Sequence, residues 1–346
     1  MINKIKIIYF LPFLGLMACL ENEPYEPDKL GDISKKAIVF YNVENLFDTI
    51  NDPFTRDDDF TPKGKKTWTK ERFNKKIDGI AKVITSIDDL NPVFVGLAEV
   101  ENEFCLEEII GHDSLQEVNY KWVHQDSNDG RGMDVALLYR ADLVWLATSE
   151  FLSIQSKEVG KSRDILYAKF KTKEKETIHI YTNHWPSRRE GKERSEKKRM
   201  AASKVLRSHI DKQLKENEHS KILVLGDFND YPTDKSIRKG LEVDSFSEIF
   251  SSAQLYNLSY EKHSEGEGSY YFKGSWGMLD QIIATGNLLN SAGGLRLDKD
   301  NFGIFDADWL LYRNDHRNVL KPNRTYSGRK YYGGYSDHLP VYIKFE

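Results

Sequence analysis

Two rhythms alternate along the chain. Over Lys70–Ile87, the apolar residues Phe73, Ile77, Ile80, Ile84 and Ile87 recur every three or four positions, which predicts a helix with one buried face. The charged stretch 190–217 carries Ala202, Val205, Leu206, Ile210 and Leu214 at similar spacing and predicts a second, longer helix. Between and around these lie short apolar runs at 37–41, 93–98, 135–139, 177–182, 221–225, 279–284 and 339–345, each short enough for a buried strand. Buried strands mixed with one-faced helices predict a layered α/β fold.

The chain has 346 residues, 39% hydrophobic and 30% charged, with 18 Tyr and 18 Phe. That excludes collagen-like, disulfide-scaffold and wholly disordered chains and leaves ample material for a core. Length alone would allow about two domains. No composition shift follows the N-terminal region, however, so the expected division is a signal segment over 1–18, a tether over 19–34 and one domain over 35–346. The signal rests on Lys4 and Lys6 ahead of an apolar run too short to span a bilayer, ending in Leu16-Met17-Ala18-Cys19. The placement of Cys19 resembles a bacterial lipoprotein signal, which implies lipidation at Cys19 and a lipid-anchored protein of the cell envelope. Pro24 and Pro27 in an acidic stretch suit a tether. Removing 1–18 moves the formal charge from -4 to about -6, so attraction to a polyanion would need a local basic patch. With Cys19 modified, Cys105 is the single remaining thiol and no disulfide forms within the chain.

What ends the apolar runs is chemically uniform. The first meets Asn42 and then Glu44, the second Glu99, the fourth His184, and the fifth Asp227 with Asn229 beyond; Asp280 lies within the sixth, and Asp337-His338 precede the last. Singly, each reads as a turn, a cap or a packed side chain. Six together, at the ends of buried strands, mark the place where layered α/β proteins put ligands and chemistry.

The strings Phe40-Tyr41-Asn42-Val43-Glu44-Asn45-Leu46, Gly96-Leu97-Ala98-Glu99-Val100, Thr182-Asn183-His184, Gly226-Asp227-Phe228-Asn229-Asp230, Leu279-Asp280-Gln281-Ile282 and Tyr335-Ser336-Asp337-His338-Leu339-Pro340 resemble, in wording and order, the endonuclease/exonuclease/phosphatase superfamily. That group includes pancreatic-type deoxyribonucleases, abasic-site endonucleases, sphingomyelinases and inositol-polyphosphate phosphatases. The resemblance implies a four-layer α/β/β/α sandwich of two mixed sheets flanked by helices. It implies a metal-dependent phosphoester hydrolase in which Glu99 holds a divalent cation, with Asn42 and Asp337 beside it. Mg²⁺ is the expected cofactor, with Mn²⁺ or Ca²⁺ as alternatives, because hard oxygen donors suit such ions. His338, oriented by Asp280, becomes the general base; Asp227 and Asn229 position water and phosphate; His184 stabilises the developing charge or protonates the leaving oxygen. Asp134 is the expected partner of His184. Asn183-His184 is closer to the deoxyribonuclease and sphingomyelinase branches than to the abasic-site enzymes, which use Tyr there.

Residues 188–199 hold seven Lys/Arg and three Glu. Arg188, Arg189 and the glycine-flanked Arg131 are candidate grips for a phosphate outside the scissile one, whereas Lys197, Lys198 and Arg199 read as a solvated helix face. The stretch 291–335 mixes Arg, Lys, Tyr and Trp, as surfaces that stack bases and bind phosphates do; most of it reads as an ordered excursion covering the sheet. Asp57-Asp58-Asp59 reads as a surface loop. The expected substrate is a phosphodiester, DNA or RNA first, with phospholipid head groups or inositol and sugar phosphates as the alternative and no protein partner implied. A non-enzymatic binding module is disfavoured because every expected catalytic position is retained.

Overall fold

The computed structural model describes residues 24–157, 159–244, 250–290, 294–314 and 319–346. Thirteen strands build two large sheets: β1 (Ala37–Leu46), β2 (Phe94–Val100), β3 (Tyr120–His124), β4 (Asp134–Arg140), β5 (Val144–Leu152), β6 (Ile165–Thr172), β7 (Thr177–His184), β8 (Lys221–Asp227), β9 (Val243–Asp244), β10 (Leu255–Asn257), β11 (Asp280–Thr285), β12 (Leu297–Ile304) and β13 (Val341–Phe345). The first sheet runs β12-β13-β1-β2-β4-β3 and the second β5-β6-β7-β8-β11-β10-β9. Each has a parallel pair near its centre, β1 with β2 and β7 with β8, flanked by antiparallel neighbours, and the edge pair β9 with β10 of the second sheet is also parallel.

Period-2 alternation sends successive side chains of a strand to opposite faces. On β1, Ile38 and Phe40 point between the sheets, against Phe170, Ile180, Leu225 and Ile282 of the second sheet. Ala37, Val39, Tyr41 and Val43 point outward, where α1 (Lys70–Ile87) and α2 (Glu103–Ile110) cover them with Phe73, Ile77, Ile80, Ile84 and Leu106. The outer face of the second sheet is covered by α3 (Lys192–Glu216), whose Ala202, Leu206 and Ile210 meet Tyr181, Ile222 and Val224. The result is the four-layer sandwich of mixed sheets between helices. Cys105 is a free thiol on the buried side of α2.

Two expectations change, and a third holds in part. The signal segment and Cys19 lie outside the described residues, but the later part of the expected tether is packed against the domain. The Tyr25 hydroxyl donates to the carbonyl of Thr172 at 2.6 Å, its ring meets Trp145, Gly31 N–H donates to Asp142, and Ile33 is buried in the inter-sheet core. The buried side of α3 includes Arg199, which is fully enclosed with its Nε 2.7 Å from Asp230 Oδ2, so it is no solvated face at that point. The 291–335 excursion does cover the sheet in part: β12 extends it beyond β13, and two small hairpins, Leu311–Asn314 with Val319–Pro322 and Tyr326–Ser327 with Lys330–Tyr331, follow.

Candidate active site

Register places the polar residues. β7 and β8 align His184 with Asp227, and β8 and β11 align Asp227 with Asp280, so three site residues form one rank across adjacent strands of the second sheet. In the first sheet, Asn42 pairs with Ala98, one residue before Glu99. Both strands are irregular there: Glu44, Asn45 and Glu99 have φ of 53°, 55° and 66°. Left-handed backbone is costly for such residues and turns side chains off the strand's alternation, a device concentrated at functional sites. It lets Asn45 N–H bind Glu99 Oε2 at 2.8 Å.

Stacking of the sheets joins the two groups. Asn42 Nδ2 donates to Asp227 Oδ2 at 3.1 Å, while its own Oδ1 accepts from Glu44 N–H. His184 Nε2 stands 3.6 Å from Asp227 Oδ2 and 3.9 Å from Glu99 Oε1. His338 Nε2 approaches Asp227 Oδ2 from the other side at 3.9 Å, and its Nδ1–H donates to Asp280 Oδ2 at 2.7 Å. Asp280 also accepts from the Ser269 hydroxyl. Asn229 closes the rank: its N–H binds Asp227 Oδ1 at 2.9 Å and its amide binds the carbonyl of Trp185. Thus Asn42, Glu99, His184, Asp227, Asn229, Asp280 and His338 are brought together, with Asp337 beside them on the wall of a cleft of ≈ 880 Å³ that also exposes Glu44, Arg131, Arg189, Arg324, Tyr270 and Phe272.

The two histidines are driven apart electrostatically. Burial, reinforced by Arg163, Arg131 and His338, holds His184 well below the usual imidazole range, so it is neutral. Burial also opposes charge on His338, but Asp280, Asp227 and Asp337 outweigh it and hold the imidazolium well above that range. Burial raises the Asp227 carboxyl, and His338 draws it back. Paired titratable groups pushed in opposite directions are what acid–base chemistry requires.

Some expected roles fail on geometry. Asp134 does not reach His184: its carboxylate accepts from Ser127 N–H at 3.1 Å and from the Ser127 hydroxyl, and His184 Nδ1 is buried without a partner. Arg188 is not free to grip a distant phosphate. It is paired with Asp230 at 3.1 Å and Asp234 at 2.8 Å and lies over the Tyr231 ring. Arg131 and Arg189 do face the cleft, Arg131 loosely paired with Asp129 at 3.7 Å.

Other contributors carried no signal in the sequence. Arg163 is buried, bonds the carbonyls of His184 and Trp185 and pairs with Asp129 at 3.2 Å. Ser269 supports Asp280 from a segment with no motif. Lys76, on the predicted face of α1, reaches Thr325 Oγ1 at 2.7 Å and the carbonyl of Tyr335.

Residues 37–346 match the family described as Endonuclease/Exonuclease/phosphatase family. The chain belongs to that family. Its members are phosphoester hydrolases that use divalent metals. No curated protein matches the sequence. Among solved structures, a humanised zebrafish (D. rerio) TDP2 is similar at TM-score 0.56 and 15% identity, covering 90% of this chain and 99% of that one. A mannosyl-6-phosphatase of Bacteroides thetaiotaomicron follows at 0.54 and 16%, with 90% and 99% covered, and the human Nocturnin catalytic domain at 0.53 and 15%, with 90% and 94%. At these identities the likeness is one of fold.

The donor chemistry fits a hard cation. Glu99 has one oxygen anchored by Asn45 N–H and the other directed toward His184, and Asp337 adds a carboxylate on the same cleft. Asp227, Asp280 and His338 also lie close enough to share an ion. Asp280 Oδ2 and His338 Nδ1 are already committed to each other, and the two Asp227 oxygens accept from Asn42 and from Asn229 N–H, whereas Asp280 Oδ1 has no partner.

Proposed function

We propose that the protein is an exported, lipid-anchored, Mg²⁺-dependent phosphodiester hydrolase that acts on nucleic acid. The observation carrying the reading is the convergence of His184, His338 and Glu99 on Asp227 in one cleft lined by cations. Glu99, Asp337 and Asn42 would hold the ion, which supplies positive charge to the phosphoryl oxygens. The chain's own residues do the rest. Asp280 fixes the tautomer and orientation of His338, whose Nε2 faces the reacting centre. Acting as a base requires His338 to shed the proton that Asp280, Asp227 and Asp337 retain, so neutralisation of that negative charge is part of activation. Neutral His184 offers Nε2 to the phosphorane or the leaving oxygen. Asn42 and Asn229 hold Asp227 in place.

Support for a polymer comes from Arg131 and Arg189 and the aromatic Tyr270 and Phe272 lining the same cleft, and from the likeness to a TDP2 solved with a single-strand DNA product. A sugar phosphate is the second reading. It is favoured by the commitment of Arg188 to Asp230 and Asp234 and by the likeness to the mannosyl-6-phosphatase. Purified protein assayed with DNA, RNA, sphingomyelin, phosphorylated inositols and hexose 6-phosphates separates the readings; absence of cleavage of either polynucleotide ends the nuclease one. Mass spectrometry of the mature N-terminus tests Cys19, and an unmodified residue there removes the anchor.

A further inference from the structure

The segment between Asp280 and Asp337 delivers a cation into the cleft that the mechanism above leaves unused. Arg324 follows the second of the small hairpin's preceding strands and lies on the cleft wall with His184, Asp227 and His338. Its Nη2 donates to Asp337 Oδ2, and its Nε stands 3.6 Å from Glu44 Oε1, beyond hydrogen-bond distance. The side chain is 38% exposed, so it is reachable from the cleft.

We propose that Arg324 binds a non-bridging oxygen of the phosphoryl group under attack. This rests on the phosphoester-hydrolase reading. A guanidinium presents five N–H donors in a planar fork that matches two oxygens of one phosphate. One donor of Arg324 is occupied by Asp337, and its Nε–H is buried beside Glu44, so the Nη edge of the fork is what the cleft can reach. The neighbouring cations are placed differently. Arg163 is spent on two carbonyls and Asp129, Arg188 on Asp230 and Asp234, and Lys66 on the carbonyl of Gly328. Arg324 is held by the acids of the reacting centre itself, where an incoming phosphate takes the place of a carboxylate partner.

A purely structural role is the competing account, and the local framework argues against it. The backbone around Arg324 is fixed without its guanidinium. Glu44 accepts from Thr325 N–H at 2.6 Å, Lys76 binds Thr325 Oγ1, and the Tyr326 ring packs against Phe60 and Trp68. Asn323 N–H binds the carbonyl of Leu310, and its own carbonyl accepts from Tyr335 N–H. Glu44, raised to about 7 by burial and by Asp337, is the acid that anchors this framework to β1.

The test compares wild-type, Arg324→Gln and Arg324→Lys full chains in two measurements. Inorganic phosphate is titrated calorimetrically, and turnover is followed on a small diester, bis-p-nitrophenyl phosphate. Arg324→Gln is expected to weaken phosphate binding by about 10-fold or more and lower kcat/KM by about 100-fold, with Arg324→Lys recovering part of both. Thermal shift with Mg²⁺ supplies the third readout. Loss of a positive charge beside Asp337 and Glu44 should leave cation binding unchanged or tighter, so a weaker Mg²⁺ response would mark a structural defect and overturn the assignment. Equal phosphate affinity in wild type and Arg324→Gln, or no phosphate binding by wild type, also overturns it. An active wild type with an indifferent Arg324→Gln removes this proposal alone, whereas a wild type inactive on this diester removes the phosphodiester reading and leaves the phosphate titration to decide on Arg324.

Discussion

Replacing Asp280 by Asn probes the site at its most enclosed point. Asp280 is fully buried; its Oδ2 receives His338 Nδ1–H at 2.7 Å and the Ser269 hydroxyl, while its Oδ1 has no partner. A carboxamide has the same shape but one donor end, and both placements are poor. With the NH₂ toward His338, Nδ1 must become the acceptor, the ring proton moves to Nε2, and the nitrogen facing the reaction can no longer take a proton. With the amide oxygen toward His338, the NH₂ occupies the Oδ1 position, where no acceptor waits, at a cost of about 1–3 kcal/mol. Either way the charge that stabilises the imidazolium is lost. A tautomer-fixing carboxylate changed to its amide in a hydrolase lowers kcat by roughly 10³–10⁴-fold, or about 4–5.5 kcal/mol of barrier. The assay is bis-p-nitrophenyl phosphate hydrolysis in Mg²⁺, with Tm measured alongside. KM should move little, because Asp280 touches His338 and not the substrate. Ser269→Ala, which removes one hydrogen bond and keeps the carboxylate, should cost about 10-fold or less. A kcat within 10-fold of wild type in a folded Asp280→Asn protein would refute the assignment of His338 as proton acceptor.

Arg199→Met leaves Asp230 without the cation 2.7 Å away at a site closed to water, and should destabilise the fold by about 3–5 kcal/mol in urea unfolding; a loss below 1 kcal/mol would mean that Arg188 and Ser236 suffice for Asp230. His179 is buried against the Tyr167 hydroxyl at 2.8 Å, and burial, with Lys169 and His209, lowers its pKa to about 4. The unfolded chain therefore takes up this proton first as pH falls below about 6.5, and stability drains away down to about pH 4, by up to roughly 3 kcal/mol. His179→Gln should show a correspondingly flatter loss over that window, and identical pH dependence of the two proteins would contradict it. EDTA should abolish turnover and Mg²⁺ or Mn²⁺ should restore it; undiminished activity after exhaustive chelation would exclude a metal-dependent reaction.

The centre of each sheet was legible because its strands are buried on both faces. Continuous apolar runs at β1, β2, β7, β8 and β11 leave no reading but strand, and Lys70–Ile87 matches the helix to the residue. The outer strands were not legible. β5 is half exposed, with a Trp145-Leu146-Ala147-Thr148-Ser149-Glu150 stretch in which a register irregularity breaks the alternation, and β3 is five residues long. Every strand-end residue read from the sequence converges, for a topological reason. Parallel pairing of β1 with β2 and of β7 with β8 puts four C-terminal ends on one rim, and antiparallel β11 brings Asp280 to it from the N-terminal side.

What the sequence hid follows from distance along the chain and from charge. Local sign alternation made Arg199 look like a helix face, because its partner Asp230 lies beyond the helix, after β8. Arg188 looked free because Asp230 and Asp234 are likewise far from it in sequence. Asp134 was assigned to His184 by analogy, yet Ser127, only seven residues away, claims both carboxylate oxygens first. Both arginines were judged by their neighbours in sequence, while their energy is set by buried acids elsewhere in the chain. An unpaired charge cannot remain buried, so the informative charges are those that stay half exposed with donors to spare. By that criterion the cations that matter to the reaction are the ones whose counter-charges belong to the reacting centre itself.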